Sequence, residues 1–108
     1  MEVTPTKLPA DTVTIAAGGI VYRQNRGVLN ATATSSDTTC GAILTMTAVG
    51  TNLGVVTMTP GTPVAGTPCT YTFVSGKQVS PAPTSVLVQS SLGGSNTATV
   101  ANGELVIK

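Results

Sequence analysis

The sequence predicts an all-β protein, a sandwich of about seven short strands, and three observations carry that prediction. Apolar and polar residues alternate with a period of two along stretch after stretch. Gly, Pro and Asn punctuate those stretches at short intervals, and β-branched residues fill them. The third observation is compositional. Charged residues make up 8% of the 108-residue chain, while 41% are hydrophobic. Disordered chains are poor in Val and Ile and rich in charge, so low charge here signals burial. One domain of this length is large enough to bury a core of its own.

Residues 1–10 read as an extended N-terminal arm, because Pro5 and Pro9 forbid helix and remove donors. The sandwich domain then spans residues 11–108. "DTVTIAAGGIVYRQ" supplies one or two strands, with Gly18-Gly19 as a bulge or a switch of sheet. Arg23 and Arg26 flank a hairpin turn. In "GVLNATATSS", Leu29, Ala31 and Ala33 share one face and Asn30, Thr32 and Thr34 the other. "AILTMTAVG" sets Leu44 and Met46 against Thr45 and Thr47, and "LGVVTMTP" buries Val56 and Met58. "CTYTFVSG" turns Tyr71 and Phe73 inward, "TSVLVQSS" does so with Val86 and Val88, and "NTATV" with Ala98 and Val100. "PGTPVAGTP" is a stiff, irregular connection. Asn102-Gly103 is the preferred pair of a type I′ hairpin. The "ELVIK" that follows either adds a C-terminal edge strand or pairs elsewhere. Closure of its own sheet is the favoured outcome, with an association-prone edge as the alternative.

The two cysteines sit at one end of such a sandwich. Chain direction alternates, so the strands of "AILTMTAV" and "YTFVSG" start at the same pole, on opposite sheets. Cys40 precedes the first and Cys69 opens the second, so a Cys40–Cys69 disulfide is geometrically reasonable. Loop-closure entropy for such a bridge is about 3 to 4 kcal/mol, a large share of a stability of about 5–15 kcal/mol. The bridge of an antibody domain lies beside a Trp, and this chain has none. A metal pair and a redox couple are the alternatives. Two cysteines without His rarely bind metal, and no C-x-x-C occurs.

Little else carries chemistry. With no His, general-base work would fall on Glu2, Asp11, Asp37 or Glu104, which are isolated in sequence. Asp37 in "TSSDTTC" suits a turn in which a carboxylate accepts from backbone amides. One Asp among Ser and Thr is thin for calcium. "SLGGSN" lacks the Lys and the following helix of a phosphate loop, and the sequon at Asn30 falls mid-strand. These readings predict no enzyme, no cofactor and no metal. A net charge of +1 argues against nucleic acid and against an anionic membrane surface. No apolar run approaches the ~20 residues of a membrane-spanning helix. Tyr22 is left as the one ring open to the surface, so glycan binding is disfavoured but stays open. "MEVTPTKLPA" has neither the basic start nor the apolar stretch of a secretory leader. The Thr- and Ser-rich, Lys- and Glu-poor composition and the even cysteine count nevertheless suit an extracellular or cell-surface protein.

"VTI", then Tyr22 and Arg23, then "GVLNATATSSD" and "VLVQSSLGGSNTATV", together resemble small immunoglobulin-like modules of secreted bacterial proteins. The match runs over roughly residues 12–100. It implies an immunoglobulin-like antiparallel β-sandwich that is non-catalytic and serves spacing, attachment or assembly. Two functions follow as expectations. One is a structural subunit of an extracellular assembly, of the pilus, filament or surface-decoration type. It would dock on a protein partner, in a homo- or hetero-oligomer, through Val3, Pro5 and Leu8 of the arm and Leu105, Val106 and Ile107 of the tail. The alternative is a monomeric module that binds a glycan or another surface ligand.

Overall fold

The computed structural model describes residues 11–76 and 78–108. Within them are ten strands and no helix: β1 (Val13–Thr14), β2 (Ile20–Arg23), β3 (Val28–Ser35), β4 (Leu44–Val49), β5 (Val55–Thr57), β6 (Thr59–Pro60), β7 (Cys69–Val74), β8 (Ser85–Ser90), β9 (Ser95–Ala98) and β10 (Leu105–Ile107). They form two sheets. The first runs β10-β2-β3-β7-β6, with β1 also paired to β3, and the second runs β5-β4-β8-β9. The long central pairs set the register, Asn30↔Val74 through Ser35↔Cys69 between β3 and β7, and Leu44↔Ser90 through Val49↔Ser85 between β4 and β8.

The alternation read from the sequence is the alternation of burial. Leu29, Ala31 and Ala33 of β3 face inward with Ile20 and Tyr71, and meet Leu44, Met46, Val86 and Val88 of the second sheet. The outward positions carry threonines, which pair across the strands as Thr32↔Thr72 and Thr34↔Thr70. Such pairs stabilise an exposed sheet face without charge. Gly18-Gly19 is neither a simple bulge nor a switch of sheet: β1 and β2 both pair with β3 in one sheet, and between them the chain makes a turn in which the Gly19 N–H donates to the Ala16 carbonyl. The switch of sheet occurs later, at Met58. Its N–H donates to the Leu44 carbonyl in the second sheet, just before β6 joins the first.

Several expectations change. There are ten strands because short segments flank the seven main ones. Asn102-Gly103 does not close a hairpin. The Asn102 Oδ1 accepts from the N–H groups of Thr99 and Glu104, and Gly103 takes a φ of 79°. The chain thereby leaves β9 in one sheet and enters the other, where β10 runs parallel to β2. A two-residue hairpin joins neighbours within one sheet, so it cannot make this crossing. Val100 lies in the crossing and is exposed, and Val56, on the edge strand β5, is only half-buried. Tyr22 is buried, not superficial, and its hydroxyl donates to the Val79 carbonyl.

Three contacts tie the sheets together at the end where β3 stops and β7 starts. Tyr71, fully buried on β7, donates its hydroxyl to the Ala42 carbonyl ahead of β4. The Cys40–Cys69 bond lies beside it. The buried carboxylate of Asp11 accepts from Ser35 Oγ at 2.5 Å and from the Gly94 N–H at 2.9 Å, joining β3 to the β8–β9 turn. Gly94 is required by this contact, since a Cβ there would stand 2.4 Å from the Asp11 carbonyl oxygen and 2.6 Å from its carboxylate. Gly94→Ala should therefore cost about 1–3 kcal/mol through forced backbone shifts. Tyr71→Phe, which orphans the Ala42 carbonyl, should cost about the same. Urea denaturation of each variant measures both.

Candidate functional site

The corner before β4 is built by Asp37. Its Oδ1 accepts from Thr39 N–H at 3.1 Å and Thr39 Oγ1 at 2.7 Å, and its Oδ2 accepts from the N–H groups of Gly41 and Ala42 at 3.1 and 3.0 Å. These bonds, those from Thr39 above all, hold the carboxyl below the usual aspartate range despite a small opposing effect of burial. The turn folds tightly enough to place Cys40 in the left-handed region, at a φ of 59°, with its sulphur on Cys69. The Cα atoms of the bridge are 5.3 Å apart, within the normal span of about 4.4–6.8 Å. Asp37 is thus a turn-builder whose lone pairs are committed. Burial pushes the Tyr71 phenol up, and the negative charges of Asp37 and Asp11 add to that. Burial alone would raise Asp11, but the hydrogen bonds from Ser35, Ser90 and Gly94 outweigh it and hold the carboxyl low. Among the described residues no three His, Cys, Asp or Glu side chains converge as a metal site would need.

The tail divides into two parts. Leu105 is buried in the core, whereas Val106 and Ile107 are half-buried on the edge strand. Glu104 accepts from the Ile20 N–H, and Lys108 both donates to Tyr22 and accepts from Gln24, so the even-numbered residues face β2. In a parallel ladder the intervening residues turn their backbone the other way. The N–H of Leu105 is taken by the Thr99 carbonyl. The N–H of Ile107 and the carbonyls of Leu105 and Ile107 point out of the sheet and have no partner among the described residues. Beside them, Glu104 Oε1 is shielded from solvent and has no hydrogen-bond partner among the described residues. Val3, Pro5 and Leu8 lie outside the described residues.

Two of the other edges are less open. β6 carries Pro60, which cannot donate to a further strand. Alongside β9, the Asn96 amide donates to the Val13 carbonyl of β1. β5 has the same length as β10, and its outer edge, with Val55 exposed, is also uncovered among the described residues.

Opposite the disulfide, a cavity of about 340 Å³ lies between Leu53 and Val56 on one side and Phe73, Gln78 and Val79 on the other. Phe73, expected in the core beside Tyr71, is half-buried and lines this cleft. Tyr22 is no part of its lining and holds Val79 from below. The Asn52 amide at the rim is spent on the loop, donating to Gln78 and accepting from Ser80. Ligand pockets are marked by polar groups free to converge on a guest, and Asn52 is not one of them.

The chain matches no family model, no curated protein and no solved structure.

Sequence reading placed the disulfide and the Asp37 turn, and it missed Asp11, whose partners lie 24 and 83 residues away. Two outcomes follow from this pole. Replacing both cysteines by Ala should lower the unfolding free energy by about 3–4 kcal/mol, read from the denaturant midpoint. Because the folded-state pKa of Asp11 is depressed, its stabilisation is present above the unfolded value, about 3.9. It is lost as the pH falls through the lower folded value. Stability should therefore drop on acidification below about pH 4. Asp11→Asn should be less stable at neutral pH and lose less on acidification, as denaturation curves over that range would report.

Proposed function

We propose that this protein is a non-catalytic structural subunit of an extracellular assembly, of filament or surface-decoration type, that docks on a partner chain through its terminal segments. The observation that carries the reading is the outer edge of β10. There, backbone groups of Leu105 and Ile107 that have no partner among the described residues lie beside the half-buried Val106 and Ile107. An added strand would satisfy them by main-chain hydrogen bonds, a recurrent mode of protein recognition. Low charge supports the same reading, since little repulsion opposes close approach of neutral, threonine-faced sheets. The disulfide is consistent with an oxidising environment. The resemblance to immunoglobulin-like modules of secreted bacterial proteins agrees with both.

Ile107→Pro tests the edge directly. The Ile107 N–H faces away from β2, so Pro removes no bond of the sheet but blocks a further strand. The monomer should lose only about 1 kcal/mol, from the trimmed half-buried side chain. Sedimentation of the native, non-reduced protein should show the full chain in a large or two-component complex. Ile107→Pro, and a chain lacking residues 1–10, should each run as monomers. A full chain that is itself monomeric would end this reading, and the cleft beside Phe73 would then be screened against glycans as the site of a monomeric binding module.

A further inference from the structure

The β6–β7 hairpin carries a pattern that neither the fold nor the docking edge uses. "TPGTPVAGTP" contains three Thr-Pro dipeptides, Thr59-Pro60, Thr62-Pro63 and Thr67-Pro68. Every residue from 59 to 68 is exposed. The hairpin is nonetheless well formed. Gly61 N–H donates to the Thr70 carbonyl at 2.8 Å, and Thr67 N–H to the Val64 carbonyl at 3.0 Å. Gly66, at a φ of 77°, turns the tip, and Cys69 pins the base through the disulfide.

In several other loops the threonine hydroxyls brace the turn. Thr39, Thr51, Thr84 and Thr99 all use Oγ1 in backbone or side-chain hydrogen bonds that brace their turns. Bracing of this kind is the usual work of a turn threonine. The hydroxyls of Thr59, Thr62 and Thr67, like that of Thr38, have no hydrogen-bond partner among the described residues. Each of the three hairpin threonines also precedes a proline, which keeps its backbone extended. Three hydroxyls therefore stand on an extended, solvent-exposed hairpin.

We propose that Thr59, Thr62 and Thr67 are acceptor sites for O-linked glycosylation with neutral hexose-type sugars. Threonine- and proline-rich exposed segments have the composition of O-glycosylated chains. In the transfer, a threonine Oγ bonds to the anomeric carbon of a glycosyl phosphate donor held by a separate transferase. The bond from that carbon to the phosphate oxygen breaks, the phosphate leaves with the electron pair, and the threonine proton passes to a base of the transferase. No electron is gained or lost. Phosphorylation would suit the same Thr-Pro pairs, but the disulfide fits an oxidising compartment over the cytosol. Sugars at these positions would cover β6, the edge already closed to strand addition by Pro60, and shield the exposed Val64. The opposite edge, β10, would stay free.

The test is mass spectrometry of the protein purified, non-reduced, from its native host, with fragmentation that retains side-chain modifications. The expected result is a set of whole-hexose increments located on Thr59, Thr62 or Thr67. They should be absent from a Thr59→Val, Thr62→Val, Thr67→Val variant expressed in the same host. An unmodified hairpin, a phosphate increment, or sugars confined to other residues would overturn the proposal. If the variant does not accumulate, the residue-level map of the unaltered protein decides alone. These readouts are independent of sedimentation, so this inference and the assembly reading stand or fall separately.

Discussion

The tie between the sheets at the disulfide pole is the constraint on which the rest of the structure depends. The facing sides of the sandwich mix small residues, Ala31, Ala33, Ala48 and Ala98, with aliphatic ones such as Leu29, Leu44, Met46 and Val88. The chain has one Phe and no Trp to supply larger buried area. Apolar burial contributes about 25 cal/mol per Å², so each alanine position adds less than its aliphatic neighbours do. The Cys40–Cys69 bond, the Tyr71–Ala42 hydrogen bond and the Asp11 clasp each join one sheet to the other. They act on different terms of the stability: the first on the unfolded chain, the others on buried polar groups that would otherwise be unsatisfied.

Concentrating the ties at one end makes the molecule asymmetric. At the far pole the fastenings are the Tyr22–Val79 bond and the Asn52 contacts with Gln78 and Ser80, which hold a loop instead of linking two strands. The cleft opens there, between a short edge strand and the segment after β7. Both extremes of the hydrogen-bonding pattern follow from this arrangement. Polar side chains at the disulfide pole are committed to internal partners, while β10 and β5 each have an outer edge that no strand covers among the described residues.

How far the sequence could be read depended on whether a feature is local. Inward positions on β3, β4 and β8 were legible because a period of two fixes the face whatever the partner strand. The Asp37 turn was legible because its four contacts all fall within five residues. The same rule applied to Ile20 would have put Tyr22 inward two residues later, so that signal was present and not used. The route of β10 had no local signal. Asn102-Gly103 favours a tight reversal, but the direction taken after it is set by Leu105 entering the core and by the vacant flank of β2. Asp11 was equally silent, since a carboxylate that clasps residues far along the chain looks in sequence like any isolated acid.

The parallel placement of β10 also explains why its edge stays available. Had residues 102–103 formed a hairpin, β10 would have extended the second sheet beside β9 and left β2 open. Crossing instead covers β2, but only over three residues, Leu105↔Ile20 to Ile107↔Tyr22. The new edge is short, apolar and free of proline and glycine, whereas at the other margin of the same sheet Pro60 stands in the edge itself. Natural sheets blunt both edges when association is a hazard. In this sheet one edge is blunted and the other is not, and the backbone of Lys108, next to the unblunted one, is engaged with Tyr22 and Gln24. A strand fixed so firmly on its inner side can accept a neighbour on its outer side without losing its own place. This property suits an edge that joins subunits.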